Sequence, residues 1–94
     1  MIRATKIKMK PGCGSSNNLL EIDKIYLVGD LKEEGYFYKS AIHDFLKNNP
    51  YSTIEVNIYP YPKVEPAISQ NGEKYVRSKA NSTYIDNLLN LPRE

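Results

Sequence analysis

A chain of 94 residues with 40% hydrophobic content makes one domain, residues 1–94, because that length buries one modest core and leaves nothing for a second. Its 13 Lys and Arg against 11 Asp and Glu give a formal charge of +2, far short of the basicity expected of a protein living on nucleic-acid backbone. One cysteine excludes an intrachain disulfide and leaves no set of cysteines to hold a metal, and with one histidine and scattered carboxylates it provides no set resembling a triad or a metal site.

The first segment, Ile2 to Lys10, sets Ile7 and Met9 on one side of an extended chain and Lys6, Lys8 and Lys10 on the other, the pattern of a half-buried strand. Pro11-Gly12-Cys13-Gly14-Ser15-Ser16-Asn17-Asn18 follows as a hairpin loop. A reactive thiol or an anion nest is the alternative there, but no P-loop lysine follows and the next segment reads as a strand, not a helix. In Leu19 to Val28 the far half is apolar on both faces, which predicts a central strand, and Gly29 to Gly35 reads as a charged surface loop.

Phe37, Ala41, Ile42, Phe45 and Leu46 fall on one helical stripe that stops at Asn48-Asn49-Pro50. His43 lies off that stripe, so the expectation is a solvated or rim histidine with no catalytic role. Thr53 to Ile58 alternates Ile54, Val56 and Ile58 inward, as a β-branched strand does. Tyr59-Pro60-Tyr61-Pro62 then ends it, since proline cannot donate to a ladder. The same four residues offer rigid aromatic surface, so Tyr59 and Tyr61 are candidates for contacting a partner.

Asn71-Gly72 predicts a hairpin between Val64–Gln70 and Glu73–Lys79. A two-residue turn would pair Ile68 with Tyr75 and Pro66 with Arg77, with Arg77 and Tyr75 on one face and Val76 on the other. Asn81-Ser82-Thr83 matches a glycosylation sequon, which an intracellular protein would not use. Thr83 and Asp86 have capping-box spacing ahead of Leu88, Leu89 and Leu91, so a short helix or turn is expected to tuck those leucines under the sheet and stop at Pro92. The expected fold is α+β: an antiparallel sheet of about five strands, one main helix across one face and a short carboxy-terminal helix or turn.

The order of these elements, with Lys74-Tyr75-Val76-Arg77-Ser78 and Asp86-Asn87-Leu88-Leu89-Asn90-Leu91-Pro92, resembles a small prokaryotic family, domain of unknown function 3892. The resemblance implies an amino-terminal hairpin, a helix, further strands and a closing Tyr-x-Arg … Asp-Asn-Leu-Leu-x-Leu-Pro segment. It implies no reaction.

For function the residues predict a non-enzymatic binding protein without a cofactor or metal. No apolar run is long enough to span a bilayer and no signal segment is evident, so a cytoplasmic protein without membrane contact is expected. The first expectation for a ligand is an anionic small molecule such as a nucleotide, held by Arg77, Lys79, a stacking Tyr75 and an edge-reading Asn87. Arg77 is also placed within reach of Asp86, where a structural salt bridge competes with the ligand role. The second expectation is a protein-interaction module using the Tyr-Pro strip or a sheet edge, with a homodimer as one form of it. The third is single-stranded nucleic acid on a face combining Arg3, Lys6, Lys8, Lys10, Lys74, Arg77 and Lys79 with Tyr59, Tyr61 and Tyr75.

Overall fold

The computed structural model describes residues 1–79 and 86–94, so the sequon and the Thr83 half of the capping box lie outside the described residues. Strands β1 (Ile2–Met9), β2 (Ile22–Gly29), β3 (Gly35–Tyr38) and β4 (Ile54–Val56) form one sheet in the order β3-β2-β1-β4. Helix α1 (Lys39–Asn48) follows β3, and β5 (Val64–Ile68) with β6 (Lys74–Ser78) makes a separate antiparallel hairpin. The architecture is α+β, as expected. The sheet is not one antiparallel array of about five strands, however: it is a four-stranded mixed sheet beside a two-stranded one, because β4 returns parallel to β1 after the helical crossover.

Two bulges decide which side chains face the core. In β1 the pairing with β2 jumps at Thr5: Ala4 opposes Leu27 and Lys6 opposes Tyr26. One extra residue reverses the alternation. Ile2 and Ala4 before the jump and Ile7 and Met9 after it therefore all point inward and are buried. A second jump at Asp23 does the same for β2, bringing Ile22 onto the side of Ile25 and Leu27.

That inner face packs with Ile54 and Val56 of β4, Ile42 and Leu46 of α1, and Val64 and Val76 of the hairpin. The short 3-10 turn Asn87–Asn90 adds Leu88 and Leu89, and Leu91 follows, so the tail leucines close the core as predicted. Helix α1 lies against β5 and β6 on one side and β2 and β3 on the other. Its buried stripe is Lys39, Ile42, His43 and Leu46, rotated from the predicted one. Phe37 falls in β3, and Ala41 and Phe45 wall a small apolar cavity of about 70 Å³ with Leu27 and Leu31. His43 is consequently buried at 3% exposure, not solvated.

The hairpin register also differs from expectation. Ser69 N–H donates to Glu73 O (3.0 Å) and Gly72 N–H to Ser69 O (2.9 Å), giving a three-residue loop with Gly72 at φ 82°. Glycine at this left-handed position closes a type I turn with a bulge, the alternative to the two-residue turn. The ladder slips by one, so Arg77 opposes Glu65 and Tyr75 opposes Ala67.

Candidate functional site

The outer face of the four-stranded sheet is the candidate site. Ladder partners project to the same side, so Lys8, Lys24 and Tyr38 form one row, Lys6, Tyr26 and Tyr36 a second, and Arg3, Val28 and Glu55 a third. The Thr5 bulge is what places Arg3 in phase with Lys6 and Lys8. None of these residues is buried, although every strand carrying them is covered on the inner face.

Cations and rings interleave across the rows. Lys6 Nζ lies 4.6 Å from the centroid of Tyr26 and 5.9 Å from that of Tyr36, and Lys24 Nζ lies 4.8 Å from that of Tyr38. Tyr26 and Tyr36 meet edge to face at 5.0 Å. At the β4 end the Arg3 guanidinium sits 4.5 Å over Tyr61, beside Glu55 at 3.8 Å and Asn57 at 3.4 Å. Tyr61 in turn packs edge to face with Tyr59, which is 82% exposed. The face thus continues into the Tyr-Pro segment.

The tail reaches this face along β1. Beyond β4, Ile7 N–H donates to Pro92 O (2.9 Å) and Glu94 N–H donates to Ile7 O (3.1 Å). Arg93 bridges Ile7 and takes the inner side, where its guanidinium donates to Gly14 O, Ser16 O and Leu89 O at 2.8–2.9 Å. Glu94 takes the outer side, and Lys6 Nζ donates to its carboxylate at 2.9 Å. That bond holds Glu94 below the usual carboxylate range and raises Lys6. Burial, then the nearby Glu94 carboxylate, raises the Tyr36 hydroxyl, which reaches hydrogen-bond geometry with no group among the described residues.

The residues singled out in the sequence are distributed differently. Tyr75 and Arg77 share a face of β6, as predicted, and Lys79 is exposed just beyond that strand. Arg77 Nε donates to Glu65 at 2.9 Å, not to Asp86. Asp86 instead accepts from Ser78 N–H and Leu88 N–H, both at 2.9 Å, tying the end of β6 to the 3-10 turn. Asn87 is 5% exposed, so its amide is withdrawn from the surface. Tyr75 lines a shallow cleft of about 420 Å³ with Asn17, Asn18, Leu20, Asp86 and Leu89, apart from Arg77. In the first loop the Cys13 thiol donates to Glu21 (3.1 Å) and Ser16 Oγ donates to the same carboxylate. The bond to Glu21, then burial, pushes the Cys13 thiol up, against a reactive thiolate.

A family model described as "Protein of unknown function (DUF3892)" matches residues 3–92. The chain belongs to that family. Neither a curated protein nor a solved structure matches it. The family match spans every strand of the outer face, from Arg3 on β1 to the tail at Pro92. Sequence reasoning named Arg3, Lys6 and Lys8 but missed Lys24, Tyr26, Tyr36 and Tyr38. The available signal was the polar or aromatic half of each alternating segment, which the expected loop at Gly35 and early helix at Phe37 concealed.

Proposed function

We propose that the outer sheet face binds single-stranded nucleic acid, with tyrosine rings stacking bases and the basic residues between them meeting phosphates. The observation that carries this reading is the interleaving of Arg3, Lys6 and Lys24 with Tyr61, Tyr26 and Tyr38 on one uncovered face. Base stacking on an aromatic ring contributes about 1–3 kcal/mol per base and tolerates any sequence, while each neutralised phosphate adds a salt-dependent increment. Tyr38, at 56% exposure, offers the most ring surface of the three strand tyrosines. On this reading the protein binds and has no reaction of its own.

Anisotropy of a fluorescein-labelled octathymidylate, titrated with the protein at low salt, tests it. Micromolar binding is expected, weakened about tenfold by Tyr38→Ala, within the range for one stacked base. Absence of binding at 100 μM protein (on the order of the weakest useful nonspecific affinity) defeats the reading, as does a Tyr38→Ala variant equal to the parent.

A small anionic ligand at the hairpin has less support, since Glu65 neutralises Arg77 and the neighbouring cleft carries the Asp86 carboxylate. For partner docking, the exposed Tyr59 and Tyr61 remain available. A homodimer through the proline-interrupted edge is disfavoured because the chain covers that edge itself: Val56 N–H donates to Pro62 O (2.9 Å), and Glu55 bridges Lys63. The other edge of the four-stranded sheet is β3.

A further inference from the structure

The Glu94 carboxylate occupies a particular point on the outer face. It accepts from Lys6 Nζ at 2.9 Å, and Lys6 stands over Tyr26 and near Tyr36 at the middle of the three rows. Its position is imposed by the backbone. Pro92 O and Glu94 N–H both bond Ile7, and the guanidinium of Arg93 is fixed on three carbonyls, so the side chain after Arg93 must rise on the Lys6 side. The Tyr36 hydroxyl is buried in the same row and faces the Glu94 carboxylate, which also raises it, without reaching hydrogen-bond geometry with any described residue.

An oxyanion held by an ammonium and flanked by a ring pair is what a phosphodiester would present in the same place. We infer that Lys6, Tyr26 and Tyr36 form the phosphate subsite of the face, and that Glu94 fills it in the free protein and is displaced by the ligand's phosphate. This rests on the nucleic-acid reading and adds a specific position to it. Lys8 and Lys24 form no salt bridge among the described residues, although the Glu94 carboxylate also feels Lys8, so Lys24 engages a strand without such competition. Displacement costs the protein its Lys6–Glu94 pair and returns a pair of the same type. Removing the Glu94 charge should therefore strengthen binding.

The test measures octathymidylate affinity for the parent, Glu94→Gln, Lys6→Gln and the double variant, with melting temperatures alongside. Glu94→Gln is expected to bind about threefold to tenfold more tightly, and the gain should vanish in the Lys6→Gln background, since coupled neighbours are non-additive. The unmutated protein supplies a second readout: the side-chain carboxyl carbon resonance of Glu94 should move toward that of a free carboxylate on titration with the oligonucleotide. A parent that binds while Glu94→Gln matches it, with an unmoved Glu94 resonance, overturns the subsite and leaves the platform standing. A gain that persists in the Lys6→Gln background also overturns it, as simple removal of a negative charge. Failure of every variant to bind overturns both.

Discussion

Arg93 shows how one side chain can hold two distant segments without touching a carboxylate. Its guanidinium donates to Gly14 O and Ser16 O in the first loop and to Leu89 O in the tail. Charge-assisted hydrogen bonds contribute more than neutral ones, and the fork of donors is a shape that lysine does not reproduce. Arg93→Ala is expected to cost about 2–3 kcal/mol in urea denaturation, with Arg93→Lys recovering little of it. Equal stability of all three proteins would reduce Arg93 to a surface contact. Glu73 supplies a pH dependence. Its carboxylate accepts from the largely buried Lys39 at 2.9 Å, and that bond, with Lys10 nearby, holds it below the usual carboxylate range. A lowered folded-state value means the contribution is full above the unfolded carboxylate range, near pH 4.3, and is lost as pH falls through the lowered value. Melting temperature should therefore drop below about pH 4 more steeply in the parent than in Glu73→Gln. Identical pH profiles would show that the Lys39 pair adds nothing to stability.

The elements differ in how far the sequence exposes them. The far half of β2, the Ile54–Val56 strand and the tail leucines were legible because local alternation and apolar content state them directly. Bulges were not, since a one-residue slip leaves no mark on composition. The predicted one-sided first strand kept Ile7 and Met9 inward, yet only the bulge that absorbs Thr5 brings Ile2 and Ala4 to the same side. The hairpin was legible as a hairpin, but Asn71-Gly72 serves two loop lengths, and the longer one shifted Arg77 opposite Glu65. The bulge carries its own prediction. Deleting Thr5 would leave Ile2, Ala4, Ile7 and Met9 in strict alternation on the inner side and Arg3, Lys6 and Lys8 on the outer side, with Ala4 opposite Leu27 and Lys6 opposite Tyr26 in an unbroken ladder. The deletion protein should therefore keep a cooperative melt, as should Thr5→Ala. A deletion protein that fails to fold would show that the bulge does more than set the phase of β1.

At the scale of the whole molecule, a formal charge of +2 conceals how the charge is arranged. Sequence reasoning gathered the basic residues into one face on the assumption that the first and last strands adjoin, but β6 belongs to a different sheet from β1. The structure divides them, with Arg3, Lys6, Lys8 and Lys24 on the outer face and Arg77 and Lys79 associated with the hairpin. Tertiary pairing alone made that division, so no local pattern could announce it. It also gives a test in which the change in net charge is matched. Lys8→Gln with Lys24→Gln removes two charges from the outer face, and Arg77→Gln with Lys79→Gln removes two from the hairpin side, so a protein bound by overall charge would lose equal affinity in both. Binding through the outer face predicts otherwise. The first pair should weaken octathymidylate binding and flatten its logarithmic salt dependence by about 0.7 for each phosphate no longer neutralised, roughly 1.4 in total. The second pair should leave both affinity and slope within error of the parent. Equal losses from the two pairs would mean that the strand follows the net charge of the molecule, not the tyrosine face.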